Sequence, residues 1–173
     1  MFVDEFGSNT QMQRTHGRAA PGERVVAKVP HGHYKAVSTA AALSARGVVA
    51  SASYDGGTTA ARFVAFVRDG LVPALRRGQV VVLDNLSAHN DRRVDELVAA
   101  AGCEVVRLPP YSPDLNPIEN AISKVKTRLR KLAERTVPGL LGGIKLALAS
   151  VTPKDAKAYI DHCGYATKRR KLL

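Results

Sequence analysis

Residues 79–85 read Gln79-Val80-Val81-Val82-Leu83-Asp84-Asn85, four aliphatic side chains running without a break into a carboxylate. An apolar run of this length that does not alternate with polar residues marks a strand buried on both faces, inside a sheet that carries helices above and below it. The strand ends where the apolar residues end. Asp84 is therefore expected at the carboxyl edge of the sheet, where open α/β sheets gather their ligands. Taken alone, Asp84 is as well explained as a turn residue or the start of a helix cap.

Downstream, Val94, Leu97, Val98 and Ala101 share a helical face that Gly102 is placed to end, and residues 104–108 form another short strand. Pro109-Pro110-Tyr111-Ser112-Pro113 is a stiff loop, after which Asn116 caps a helix starting at Pro117, the favoured first helical position. Ile118, Ile122, Val125, Leu129 and Leu132 form its apolar stripe, and Lys124, Lys126, Arg128, Arg130 and Lys131 occupy its other faces. Residues 140–151 and 154–162 supply two closing helices, and Lys168-Arg169-Arg170-Lys171 a solvated tail.

Upstream, residues 58–77 have helical spacing, with Phe63, Phe66, Val67, Leu71 and Leu75 on one face and Pro73 placed to kink or divide it. Before that come strands over 1–6, 24–29, 34–43 and 48–54, with a polar loop over 7–22 and a turn at Ser44-Ala45-Arg46-Gly47. Strands in a meander followed by strands alternating with helices predict an α/β fold, a mixed sheet covered by helices on both faces. At 173 residues the chain has room for one domain.

Lys and Arg number 26 against 15 acidic residues, a surplus that favours polyanions because each neutralised phosphate releases counterions. No apolar run is long enough for a bilayer, and the first residues lack a secretory pattern, so the chain is expected to be soluble and cytoplasmic, with no membrane partner. Cys103 and Cys163 are read as structural; His162 beside Cys163 lacks the second pair a zinc site needs.

Asp4 repeats the placement of Asp84, an apolar strand start running into a carboxylate. Glu5 belongs on the opposite strand face, away from Asp4 or supporting a loop. Glu119 stands three residues after Asn116, the spacing of a capping box, so it either reaches back to the helix start or faces Asp84. Three carboxylates at one sheet edge repel each other and call for a counter-charge. Two hard divalent cations, magnesium or manganese, suit oxygen-only ligands and the chemistry of a phosphodiester.

Asp84-Asn85-Leu86-Ser87-Ala88-His89 and the string LPPYSPDLNPIEN over residues 108–120 resemble the catalytic core of DDE transposases, in the bacterial insertion-sequence group of the mariner superfamily. The 34 residues between Asp84 and Glu119 match that superfamily's spacing of second and third acids, and the opening FVDEFG resembles its first-acid strand. The likeness extends through Arg14-Thr15, residues 21–24, Lys124-Val125-Lys126 and Leu129-Arg130 to His162-Cys163-Gly164-Tyr165. Ile122 departs from it, standing where relatives usually carry an aromatic residue.

The resemblance implies a ribonuclease H-like fold and a metal-dependent endonuclease and strand transferase. Such an enzyme cleaves transposon ends and joins the freed 3′-hydroxyl to target DNA, typically at TA. Asp4, Asp84 and Glu119 are then ligands of two Mg²⁺ or Mn²⁺ ions. Asn85 and His89 become candidate supports of the metal ligands or DNA contacts, and Lys124, Lys126, Arg128 and Arg130 candidate DNA contacts, while Pro113, Asn116 and Pro117 shape the loop that aims Glu119. The expected partner is double-stranded DNA, with a homodimer in the synaptic complex and a nucleoid-associated location. The chain starts at the first-acid strand with no helix-turn-helix region ahead of it, so either a separate product recognises the terminal repeats or the chain is a fragment or a decayed copy. Two other readings are a truncated or domesticated remnant that binds DNA without catalysis, and a ribonuclease H-like nuclease with another substrate.

Overall fold

The structure, a computed structural model, describes residues 1–28 and 30–165. The first strand, β1 (Phe2–Asn9), pairs antiparallel with β2 (Ala36–Ser44), which pairs antiparallel with β3 (Gly47–Asp55). After a helical crossover the chain returns as β4 (Val80–Leu83), parallel to β1 on its other side, and then as β5 (Glu104–Arg107), parallel to β4. The order β3-β2-β1-β4-β5 makes one five-stranded mixed sheet.

Helices cover both faces. On one lie α1 (Ala60–Phe66), α2 (Val72–Ala74) and α3 (Arg92–Ala100), which with Val3, Val81 and Leu83 enclose one core around the fully buried Phe63. On the other lie α4 (Pro117–Leu132), α5 (Val137–Ala149) and α6 (Pro153–His162), packed over Phe2, Phe6 and Val82. The hydrophobic alternation of β1 divides its side chains between these cores: Phe2 and Phe6 to the second, Val3 to the first. Each fully buried large side chain here contributes about 1.5–3 kcal/mol. β4 turns Val81, Val82 and Leu83 inward, as a strand covered on both faces must.

Several local expectations shift. β1 runs on through Gly7, Ser8 and Asn9, residues that read as loop, because each has a β2 partner in register. Residues 24–28 form no strand and are exposed; Val29 lies outside the described residues, as does the Lys168–Lys171 run. The helix over 58–77 is α1 and α2 joined by a π-helical turn, Val67–Leu71, in which the Val72 N–H reaches back to the Val67 carbonyl. That widened turn immediately precedes Pro73, which cannot donate a helix hydrogen bond of its own. Leu132 is half-exposed rather than part of the buried stripe, since α4 ends there and Ala133 adopts a left-handed conformation. At the β2–β3 turn Gly47 has φ +103°, and a Cβ there would meet the Val151 carbonyl oxygen at 2.7 Å. Among the described residues no helix is long and apolar enough to cross a membrane.

Candidate active site

Asp4 is 5% exposed at the middle of β1, on the face that packs against α4. One carboxylate oxygen accepts from the Glu5 N–H at 2.7 Å and the other from Asn116 Nδ2 at 3.0 Å. Asn116 does not cap α4 with its side chain, so the capping-box reading of Asn116 and Glu119 is not what the structure contains. Its backbone ends the short 3₁₀ turn Pro113–Leu115, and its buried amide is spent on Asp4 instead. The amide oxygen of Asn116 is buried and has no hydrogen-bond partner among the described residues.

Asp84 directly follows β4 and lies at the carboxyl edge of the sheet. One oxygen accepts from the Leu86 N–H at 3.1 Å, a turn contact, and the residue lines a cleft of about 450 Å³. Glu119, exposed in the first turn of α4, lines the same cleft, whose wall is Pro109, Pro110 and Tyr111. Tyr111 is fully exposed with φ +55°, a conformation a bulky residue rarely adopts.

Glu5 lies on the other face of β1, as alternation demands, yet it returns to the site by a second route. His89, fully buried in the 3₁₀ turn Ser87–Asn90, has Nε2 2.8 Å from Glu5 Oε2 and Nδ1 2.5 Å from Asp84 Oδ1. The Asp84 contact is an ion pair rather than a well-aligned hydrogen bond. The ring also stacks on Phe63, centroids 4.2 Å apart. Arg107 holds this turn in place: it donates to the His89 carbonyl at 3.3 Å, to Asn90 Oδ1 at 3.0 Å and to both Asp95 oxygens at 3.0 Å. Asn85 Nδ2 donates to the Leu108 carbonyl at 2.6 Å, joining the exits of β4 and β5.

The electrostatics follow from this packing. Burial pushes the Asp4 carboxyl up to about 7; the Glu5 N–H restrains the rise, and the charges of Glu119 and Asp84 add to it. Burial alone would lower the His89 pKa, but Asp84 and Glu5 on either side overcome it and raise the ring to about 9. Burial acts to raise Asp84, yet His89 and the Leu86 N–H outweigh that and hold it below its ordinary value.

Three segments remote in sequence thus bring Asp4, Asp84 and Glu119 into one electrostatic field. Among the described residues, no three His, Cys, Asp or Glu side chains are gathered tightly enough to enclose a metal ion. His89, expected either behind a metal ligand or on DNA, is 0% exposed, presents no surface to DNA and lies against Asp84. Lys124 is engaged with Asp155 at 2.6 Å, and the Asn85 amide with Leu108. Lys126, Arg128 and Arg130 make no side-chain hydrogen bond or ion pair among the described residues and line clefts along α4. Cys103 and Cys163 are free thiols. Glu5 and Arg107 were not candidates from sequence: alternation points Glu5 away from the site, and the partners of Arg107 belong to other elements.

The profile of the DDE superfamily endonuclease family matches residues 1–137. No curated protein matches the chain. Among solved structures it is similar to the Mos1 transposase paired-end complex with left transposon end (TM-score 0.76, 19% identity, 94% of this chain and 51% of that one). It is similar also to the Mos1 mariner paired end complex with Mn (TM-score 0.68, 17% identity, 94% and 51%). A third likeness is to the Mos1 transposase catalytic domain and Raltegravir with Mg (TM-score 0.64, 16% identity, 94% and 77%). The chain spans about half the length of the first two. The sheet order and these likenesses make the fold ribonuclease H-like.

Proposed function

From the premise that this chain belongs to the DDE superfamily endonuclease family, we propose that it is the catalytic domain of a cut-and-paste DNA transposase, with Asp4, Asp84 and Glu119 as its metal ligands. The observation that carries this reading is the cleft that Asp84 and Glu119 line together with Asn116, whose amide holds the buried Asp4 carboxylate. Burial and the charges of Glu119 and Asp84 push that carboxyl up to about 7. A buried acid next to two others is a site short of positive charge, and its all-oxygen donors fit Mg²⁺ or Mn²⁺. Two such ions, when bound, supply Lewis-acid activation of water and stabilisation of the leaving oxygen.

The chain's own residues orient the acids. Asn116 fixes one Asp4 oxygen, and the Glu5–His89 pair fixes Asp84 and favours its ionised form. The first turn of α4 presents Glu119 to the cleft, and the Pro109-Pro110 wall closes its far side. On this reading water cleaves a phosphodiester at a transposon end, releasing a 3′-hydroxyl. That hydroxyl then attacks a target phosphodiester, at TA, and displaces the 3′-oxygen of the target strand; no protein–DNA bond forms. The finer assignments are the bacterial insertion-sequence branch of the mariner superfamily, a homodimer at the synapse, a helix-turn-helix product that recognises the terminal repeats, and action at the nucleoid.

The test is Mg²⁺- or Mn²⁺-dependent cleavage of DNA carrying the element's own ends, with and without a helix-turn-helix product. Cutting that vanishes in Asp84→Asn and Glu119→Gln supports the reading. DNA binding with no cutting under any condition replaces it with that of a binding remnant.

A further inference from the structure

Three clefts adjoin along the outer surface of α4. The largest, about 700 Å³, lies between the loop after β1 and the last turns of α4, lined by Arg14, His16, Arg18, Thr127, Arg130 and Lys131. The second shares Arg130 with it and adds Lys126; the third shares Thr127 and Lys131 and adds Lys124 and Arg128. Among the described residues none of the lining side chains is acidic. Arg14, Arg18, Lys126, Arg128, Arg130 and Lys131 make no side-chain hydrogen bond or ion pair among them either. Lys124, at the edge of the third cleft, is paired with Asp155, and outside the clefts Arg107 is paired with Asp95, Arg93 with Asp91, Arg92 with Glu96 and Arg68 with Asp69.

The loop side of the large cleft is held in place. Arg135, just past α4, donates to the carbonyls of Thr10 and Met12 at 3.0 Å each. Gln11 ties the same loop to the carbonyls of Pro30 and Gly32 at 3.2 and 2.8 Å. These bonds hold residues 10–12, just ahead of Arg14, His16 and Arg18, which line the large cleft together with Thr127, Arg130 and Lys131 of α4.

Position along α4 relates this cleft to the acids. Glu119, Lys126 and Arg130 stand at i, i+7 and i+11, which at 3.6 residues per turn places them within about 40° of one another on one stripe. Glu119 begins that stripe and Arg130 ends it, about 16 Å further along the axis. At 3.4 Å per base pair this is about five base pairs of duplex.

We propose that the cleft between the residue 11–18 loop and the end of α4 grips the sugar-phosphate backbone of double-stranded DNA about half a helical turn from the bond held at the acids. Arg14 and Arg18 form one jaw, and Arg130 and Lys131 the other. This rests on the transposase reading for the identity of the polyanion, and it adds residues from the β1–β2 loop that the acid site does not use. Phosphate contacts of this kind fix position and register, not sequence.

The test is the salt dependence of binding of the full chain to a duplex, without divalent metal so that nothing is cut, alongside phosphate-ethylation interference on the same duplex. The Arg14→Ala/Arg18→Ala double variant is expected to flatten the slope of log K against log salt by about 1.8, and to lose on the order of tenfold in affinity at 0.1 M salt. Arg14→Lys/Arg18→Lys is expected to retain the slope, and interfering phosphates to cluster about five base pairs from the cut site. An unchanged slope in the alanine variant overturns the jaw. So does an equal change of slope on single-stranded RNA without preference for duplex DNA. Failure of the transposase reading itself looks different: the slope responds as expected, but wild-type protein cuts no DNA when Mg²⁺ is restored.

Discussion

Asn116 Nδ2 donates a 3.0 Å hydrogen bond to Asp4 Oδ2 across 112 residues of sequence, joining the start of α4 to the middle of β1. With the Glu5 N–H on the other oxygen, the bond fixes the orientation of the Asp4 carboxylate, and it leaves the Asn116 amide oxygen buried without a partner among the described residues. Asn116 therefore positions an acid and does not merely end a loop.

Asn116→Ala removes that bond and leaves the backbone of the loop intact. Loss of an outer-shell partner of a metal ligand typically costs 10–100-fold in metal affinity or activity. A drop of that size in DNA cleavage is expected, with unfolding free energy lowered by about 1–3 kcal/mol. Cleavage at the wild-type rate would show that Asp4 needs no such support.

The pH dependence of the metal-free protein has a definite sign. Asp4 titrates near 7 when folded against 3.8 for its ordinary carboxyl, so its contribution to stability is whole below 3.8 and is lost as pH rises through 7. His89 is raised to about 9 from 6.5, so its contribution is whole below 6.5 and is lost as pH rises through 9. Thermal melts of metal-free protein are expected to fall steadily from pH 5 to pH 9. Asp4→Asn should raise stability at pH 8 by roughly 2–4 kcal/mol and change it little at pH 4. Equal effects of that variant at both pH values would contradict the assignment.

Glu5 and His89 act on Asp84 as a unit, so each variant reads out through the other. In Glu5→Gln the His89 ring keeps a hydrogen-bonding neighbour but loses one of its two flanking charges. Its pKa, followed by NMR of the ring protons, is expected below the wild-type value of about 9. His89→Ala leaves Glu5 with an unpaired buried carboxylate and is expected to cost about 3–5 kcal/mol in stability. An unmoved ring pKa in Glu5→Gln would show that the contact carries no charge coupling.

What could be read from the chain before its structure was set by local pattern. Val80–Leu83 followed by Asp84 states a buried strand with an acid at its end, and Asn116-Pro117 states the start of α4, because each depends on its immediate neighbours. The same alternation that correctly separated Asp4 from Glu5 hid the role of Glu5, since the return path through His89 is made by packing between β1 and the turn after β4. Ser8 and Asn9 looked like loop residues and are strand, because β2 supplies partners that propensity cannot foresee. Residues 24–28 look like strand and are not, having no neighbour to pair with. Asn116 suggested a cap by type and spacing, yet a carboxylate 112 residues away claims its amide.

The central claim is that Asp4, Asp84 and Glu119 act together as one metal site, and Mn²⁺ binding tests it most directly. Free Mn²⁺ is followed by its electron paramagnetic resonance signal during titration of the chain at pH 8, where the wild-type Asp4 carboxyl is ionised. Saturable binding of two ions per chain is expected, weakened at least tenfold in each of Asp4→Asn, Asp84→Asn and Glu119→Gln, and weakening about tenfold per pH unit in wild type below pH 7. Absence of saturable binding, or binding indifferent to all three substitutions, would contradict it.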